Sequence, residues 1–505
     1  MSLASVVTRA NTGLNTSLVK VEVHLNNGLP GLHLVGLPET SVREAKERVR
    51  SAICNSGFRF PQKRITVNLA PADVPKQGGR FDLAIAIAIL LASEQIESLV
   101  STRFELIGEL ALGGNLRACK ALLPVILAAQ KRDALLVMPA ANAADNALVQ
   151  APKVALARNL CEVVECLTGQ TQLPAQLPTS NTDSAVPELP CLSQVVGQAQ
   201  AKQALMIAAA GGHNLLMLGS PGTGKTLLAN CFRGLLPPVG NQDALVNAAL
   251  HSIAGVEKAS DQLHQAAFRS PHHSCSSAAL IGGGTNPLPG EISLAHAGVL
   301  FLDELPEFAR NALESLREPL ESGQVYISRA QRKQVFPARF QLIAAMNPSP
   351  CGSANGQARS SPEQIRRYLS KLSGPLIDRF DLSVEVPNLP KGTLVNGLKA
   401  KEQMTSAQAA SLIVRCRAVQ RERAGVLNHQ LSSSQLLESS GFAEKDLLYL
   451  EEVMTRLNLS VRAFYRLLRV ARTIADLAGS TQVERSHIAQ ALGYRAIDKL
   501  LAQLG

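Results

Sequence analysis

Tryptophan is absent, and aromatic residues make up only 4% of the 505-residue chain. Folds that bind nucleic acid by stacking bases on exposed rings, such as OB-folds and RRMs, need more aromatic surface than this. The nine cysteines are scattered, none of them in a Cys-x-x-Cys pair, and Cys161 and Cys166 are the closest two. Such spacing argues against a disulfide scaffold and a zinc ribbon and suits a reducing cytoplasm. Long hydrophobic runs are missing too: Leu83–Ala92, the longest, is about half a membrane span. The opening MSLASVVTRANTG lacks the apolar core of a signal peptide. The expectation is a soluble cytoplasmic protein with no membrane partner.

What is present is ordinary globular material, with 46% hydrophobic and 18% charged residues. A chain of this length has room for about three to four domains. Lysine and arginine outnumber aspartate and glutamate by 50 to 40, a net charge of +10 that suits a polyanionic partner without requiring one. Residues 170–190 mix Pro, Ser, Thr and Gln without periodicity and read as a linker. Residues 1–169 before it read as an α/β domain. Its strands are expected at Leu18–Leu25, Ile65–Leu69 and Ala134–Met138, with a basic amphipathic helix at Glu39–Ser56 and a buried helix at Leu83–Ala92. In residues 191–387, strand-like runs at Asn214–Leu218, Val299–Leu302 and Leu342–Met346 alternate with helical stretches, the pattern of a doubly wound parallel sheet. Residues 388–505 lose strand signals, and helical periodicity at Phe464–Leu477 and His487–Leu501 predicts a closing helical domain.

The strongest motif is GSPGTGKT, Gly219 to Thr226, which fits G-x-x-x-x-G-K-[ST] between an apolar strand and a helical run. Gly219, Gly222 and Gly224 let backbone N–H groups curl around phosphate oxygens, with Ser220, Pro221 and Thr223 completing the loop. Lys225 is placed to reach the β- and γ-phosphates of ATP, and Thr226 to hold Mg²⁺. Val299–Leu302 runs into Asp303-Glu304, as a buried strand ending in two carboxylates does. Asp303 would bind Mg²⁺ through water, and Glu304 would polarise an attacking water. Asn347 ends a third strand in LIAAMNP and either orients that water or forms an Asx turn before Pro348.

At these residues the chain resembles the AAA+ ATPases, and within them the magnesium-chelatase-related family of YifB and ComM. Further markers are VVGQ at 195–198, FRSPHHS at 268–274, LIGGG at 280–284, PGEISLAHAGVLFLDE at 289–304, AAMNPSPCG at 344–352, GPLIDRFDL at 374–382 and LSVRAFYRLLRVARTIADL at 459–477. The resemblance implies that Val196 and Gly197 lie near the adenine and that Asn347 is sensor 1. It also implies that Arg379 is an arginine finger and that Arg462 is sensor 2. A guanidinium from a neighbouring subunit would neutralise charge building on the γ-phosphoryl oxygens; a salt bridge from Arg379 to Asp378 or Asp381 is the alternative. Arg462 competes for its role with Arg466 and Arg469. Family resemblance further implies a hexameric ring, an ATP-dependent helicase that drives branch migration on single-stranded and branched DNA during transformation, and recombination proteins as partners.

Two insertions decorate the ATPase core. One contains FRSPHHSCSSAALIGGGTNPLPG with a flexible Gly282-Gly283-Gly284 loop. The other, QVYISRAQRKQVFPARF, alternates as a β-hairpin with Arg329, Arg332 and Lys333 around its tip. Placed in a ring channel, as the resemblance implies, they would track a phosphate backbone without reading sequence; a solvated charged turn is the plainer reading. His251, His264, His272, His273 and Cys275 match no standard zinc spacing, and capping or phosphate contact suits them better. The first domain resembles the Lon-protease fold, but Arg80 and Leu123 stand where the serine and lysine of its dyad would be. Arg43, Lys46, Arg48, Arg50, Lys63 and Arg64 form either a DNA-facing surface or an ordinary solvated one. The rival functions are an ATPase remodelling a protein partner and an ATP-dependent protease, the latter opposed by the missing dyad.

Overall fold

The computed structural model describes residues 3–36, 42, 44–97, 104–176, 189–256, 260–284, 287–329, 332–351, 361–390, 392–393, 404–439, 441–457 and 459–502. The chain divides into two compact units, Met1–Ser184 with Ala244–Leu263, and Ala185–Asp243 with His264–Gly505.

In the first unit, alternating apolar residues build β1 (Leu3–Thr12), β2 (Asn15–Asn26), β3 (Gly31–Val35) and β4 (Arg64–Ala70). They are followed by β5 (Phe104–Leu106), a short pair β6 (Glu109–Leu110) and β7 (Leu116–Arg117), β8 (Leu135–Pro139) and β9 (Val154–Ala157). A mixed seven-stranded sheet runs β3-β4-β2-β1-β5-β8-β9. Helix Asp82–Ala92 is apolar on every side and correspondingly buried against it. The strand read at Ala134–Met138 is β8, whereas β1, β3 and β9 carried no clear sequence signal. The helix expected at Glu39–Ser56 is Ala45–Asn55; Arg43 lies outside the described residues.

That helix's basic face is only partly a surface. Arg48 turns inward and forks onto the fully buried Asp82 carboxylate at 2.7 and 3.1 Å. Burial raises Asp82 to about 6, with Arg48 opposing the rise. Arg50 lies over the Phe60 ring at 5.7 Å, and Lys63 and Arg64 are exposed. At the two dyad positions, Arg80 donates to the Lys120 carbonyl at 2.7 Å and Leu123 is fully buried in the core. Neither supplies a nucleophile.

The second unit is organised by short parallel strands, of which the central three are mainly buried apolar runs, the pattern of a parallel sheet covered on both faces. They are β10 (Leu215–Leu218), β11 (Phe268–Arg269), β14 (Val299–Leu302), β17 (Gln341–Met346) and β18 (Leu382–Glu385). Their order is β11-β14-β17-β10-β18, and every adjacent pair is parallel. Two hairpins stand apart from this sheet: β12 (Gly282–Gly283) with β13 (Leu288–Pro289), and β15 (Gln324–Arg329) with β16 (Arg332–Pro337). The sequence anticipated β10, β14 and β17 but not the edge strands β11 and β18. The run expected to be one helix at His487–Leu501 is two, Arg485–Gly493 and Ala496–Ala502, broken at Tyr494.

Sheet and C-terminal helices share one core: Leu215, Met217 and Ile343 belong to the same apolar cluster as Leu467, Leu468 and Ile474. Within the helical part, the Asp476 carboxylate collects Arg423 at 2.7 and 2.8 Å, Arg472 at 3.1 Å and Asn428 at 2.8 Å. Arg472 is completely buried, so its charge depends on this carboxylate and on the carbonyls of Ser480 and Thr481. Removing one partner of such a buried network leaves the other's charge uncompensated. Asp476→Ala should therefore destabilise the second unit by about 3–5 kcal/mol, read as an earlier unfolding midpoint in denaturant. An unchanged midpoint would show that the network contributes no net stability.

Candidate active site

Because β10, β14 and β17 are parallel and in register, with Leu215 opposite Ile343 and Leu302 opposite Ala344, the residues following each strand emerge at one edge. After β10 the Gly219–Thr226 loop turns into helix Lys225–Arg233. Gly224 caps that helix at φ +95°, a conformation glycine adopts without strain, and no side chain caps its first N–H groups. An added Cβ at Gly222 or Gly224 would meet nothing within 4 Å among the described residues, so these leave the space before the loop open. At Gly219 the constraint is different: a Cβ would collide with the Val386 carbonyl oxygen.

Lys225 joins the ends of two strands. Its ammonium donates to the carbonyls of Gly219 at 2.6 Å and Ser220 at 2.9 Å, and to Asn347 Oδ1 at 3.1 Å. Burial lowers its pKa, and Asp303 and Glu304 pull it back up. Thr226 Oγ1 donates to Asp303 Oδ2 at 2.7 Å, and the Glu304 N–H donates to Asp303 Oδ1 at 2.9 Å. Open N–H groups, a helix N-terminus and an ammonium suit a phosphate chain. The Thr226 hydroxyl beside a carboxylate suits a hard divalent cation such as Mg²⁺. Thr223 Oγ1 closes the loop on the Ser220 carbonyl at 2.9 Å. Gln198 Nε2 donates to the Pro387 carbonyl at 2.7 Å, and Thr223 O lies 3.5 Å from it. This pins Val196 and Gly197 beside the loop; Pro221 is exposed on it.

Glu304 stands at φ +53°, uncommon for a non-glycine residue and typical of functional turns. Its carboxylate meets His273 Nδ1 at 3.1 Å. The reason is topological. β11 pairs in parallel with β14, Phe268 opposite Val299 and Arg269 opposite Leu300, so SPHHS leaves the sheet next to Asp303-Glu304. The His272 ring lies against His273 at a 34° tilt with centroids 4.0 Å apart, and Arg269 forks onto Glu291 at 2.6 and 2.7 Å. The FRSPHHS motif was visible in the sequence; its partner was not, because the two-residue strand that aims it has no periodicity. Of the remaining candidate histidines, His251 bonds the Asn247 carbonyl one helical turn back and His264 the Val239 carbonyl. Among the described residues no group of three His, Cys, Asp or Glu side chains could hold a metal ion.

The arginines sort differently from the sequence alternatives. Arg379 pairs with Glu321, on helix Arg317–Ser322, and not with Asp378 or Asp381. Asp378 is taken by Arg466, which also donates to the carbonyls of Asp378 and Phe380 at 2.8 Å. Asp381 accepts the Asn214 N–H at 3.1 Å and faces His213 at 3.5 Å. Arg469 donates to the Leu431 carbonyl at 2.9 Å. Arg462, second residue of helix Val461–Leu477, is exposed and is the least engaged of the three competing arginines.

In the insertions, β15 and β16 form an antiparallel ladder from Gln324 opposite Pro337 to Arg329 opposite Arg332, with Lys333 exposed. Val325, Ile327 and Phe336 bury one face of it. The expectation of a flexible triple-glycine loop is corrected: Gly282 and Gly283 are strand residues paired with Pro289 and Leu288. A Cβ at Gly282 would strike the Leu288 carbonyl oxygen, so glycine serves close approach there.

Three family models match the chain, magnesium chelatase subunit ChlI over residues 191–394, subunit ChlI of Mg-chelatase over 21–142 and the ChlI C-terminal region over 403–495. The chain is 52% identical over 508 residues to the competence protein ComM of Haemophilus influenzae, covering 100% of this chain and 99% of that protein. It is 49% identical over 505 residues to the uncharacterized protein YifB of Escherichia coli, with the same coverage. A magnesium-chelatase 67 kDa subunit of Chlorobaculum parvum is 27% identical over 223 residues, 42% of this chain and 28% of that protein.

Proposed function

Since this chain belongs to the magnesium-chelatase ChlI-like AAA+ ATPases of the YifB/ComM family, we propose that it is an ATP-driven DNA motor. It acts as a ring of six subunits on single-stranded and branched DNA, promoting branch migration as transforming DNA is integrated with the help of recombination proteins. Residues 1–169, with Ala244–Leu263 grouped with them, form a platform joined by a linker at 170–190 to an ATPase core built from the rest of 191–387 and its helical lid, 388–505. The observation that carries the reading is the convergence of Lys225, Thr226, Asp303, Glu304 and Asn347 at one sheet edge of a unit that also extends a basic hairpin.

Lys225 exchanges the Gly219 and Ser220 carbonyls for β- and γ-phosphate oxygens, and Val196 and Gly197 flank the adenine. Thr226 and Asp303 would hold Mg²⁺, which would neutralise phosphate charge when bound. Glu304 takes the proton of the attacking water, and Asn347 orients that water. Arg379 reaches the neighbouring subunit's γ-phosphate, and Arg462 senses nucleotide from the lid. No helix among the described residues is long and apolar enough to cross a membrane.

The hairpin tests the DNA half of this reading. Phosphate contacts by Arg329, Arg332 and Lys333 release counterions, so each Ala substitution should reduce the salt slope of single-strand binding by roughly 0.7 for every phosphate no longer neutralised. Affinity should fall by a similar factor on every base sequence, because no base edge is read. DNA stimulation of ATP hydrolysis and unwinding of forked substrates should fall with it. A triple Ala variant that binds and unwinds like the parent would make the hairpin a solvated turn. ATP hydrolysis indifferent to any DNA would favour the remodelling of a protein partner.

A further inference from the structure

The guanidinium proposed to act on a neighbouring subunit is occupied within its own. Arg379 Nη2 donates to the Glu321 carboxylate, and Arg379 Nε is buried without a hydrogen-bond partner among the described residues. The fork is thus only partly satisfied where it rests, since Arg presents five donors and strongly prefers bidentate acceptors. The backbone beneath it is fixed: Asn214 Nδ2 donates to the Arg379 carbonyl at 2.8 Å, and the flanking Asp378 and Asp381 are held by Arg466 and Asn214. Freedom to move therefore belongs to the side chain, and the contact that restrains it is Glu321.

Glu321's position gives this contact a second meaning. It lies near the end of helix Arg317–Ser322, which passes through Gly323 directly into β15. The Gly323 carbonyl accepts the Ala338 N–H at 2.7 Å, clamping the hairpin's base, and the ladder above it runs unbroken from Gln324 to Arg329. The base of the hairpin is therefore continuous with the helix that carries Glu321.

We propose that Glu321 is a positioning residue that latches the Arg379 guanidinium in cis, and that a polyanionic strand engaging the β15–β16 hairpin releases it to the neighbouring subunit's γ-phosphate. The latch rests on the reading of Arg379 as a finger. It ties two distant events, strand contact and hydrolysis, through one ion pair, and it makes the finger's availability depend on the channel.

The experiment uses the full chain with Mg²⁺, ATP and an oligo-dT strand, comparing Glu321→Gln, Glu321→Ala and Glu321→Asp with the parent. Loss of the latch should raise strand-free kcat roughly five-fold or more with KM for ATP unchanged, and should shrink stimulation by oligo-dT towards none. Glu321→Asp should keep most of the parent's stimulation ratio, and the salt slope of oligo-dT binding should not change in any variant. Parent-like strand-free rate and stimulation in both Gln and Ala variants would overturn the latch, leaving a surface ion pair of little consequence. Loss of hydrolysis in variants with parent-like thermal melting would overturn it too, making Glu321 a required part of the site. Mixed rings of Arg379→Ala and Lys225→Ala subunits separate the cases: recovered hydrolysis there with unaltered Glu321 variants sinks the latch alone, and no recovery sinks the finger beneath it.

Discussion

In the proposed ring, Lys225→Ala subunits should neither bind ATP productively nor hydrolyse it, whereas Glu304→Gln subunits should retain nucleotide and turn it over about 10²–10⁴-fold more slowly. The difference follows from what each side chain contacts. Lys225 is the ammonium gathered by the loop, donating to Gly219, Ser220 and Asn347 in a site where burial already disfavours its charge. A polyphosphate supplies the charge that would retain it, and alanine removes that attraction along with the bridge to Asn347. Glu304→Gln preserves size and the backbone turn at φ +53°, removing the capacity to accept a proton together with the charge that faces His273. Nucleotide retention by fluorescence and hydrolysis by phosphate release separate the two. Near-parental turnover in Glu304→Gln would take the general base away from this strand end.

The second large effect is expected at Arg379. Rings of Arg379→Ala subunits should bind ATP and lose roughly 10³–10⁵ in kcat, the magnitude that a finger guanidinium contributes. Mixing them with Lys225→Ala subunits should restore part of the activity. An interface is complete wherever an Arg379→Ala subunit supplies its intact Lys225 site and a Lys225→Ala neighbour supplies its intact Arg379. A residue that served only to bind Glu321 within its own chain would give no such recovery, and a small loss in the unmixed ring. Hydrolysis measured across a titration of mixing ratios decides between them, with ring assembly checked at each ratio.

Local sequence determined the chemistry at the strand ends. Parallel strands buried on both faces appear as short apolar runs, and the residues that follow each run are forced to the same sheet edge, so GSPGTGKT, Asp303-Glu304 and Asn347 were legible together. The basic hairpin was legible as well, because an antiparallel ladder prints its alternation into the sequence. Tertiary structure alone decided the partners. β11 is two residues long and β18, LSVE, is no continuous apolar run, yet β11 brings His273 to Glu304. Three arginines spaced along one helix look equivalent until packing engages Arg466 with Asp378 and Arg469 with Leu431 and leaves Arg462 exposed. Arg379 has acidic neighbours on either side in DRFD and pairs with neither, because Arg466 and Asn214 reach those carboxylates first and Glu321 approaches from another helix. Even the path of the chain was hidden: Ala244–Leu263, between GSPGTGKT and Asp303-Glu304, groups with the first unit. A guanidinium's choice among carboxylates, like a helix's choice of neighbour, depends on distances set by the whole fold, which no local window of residues contains.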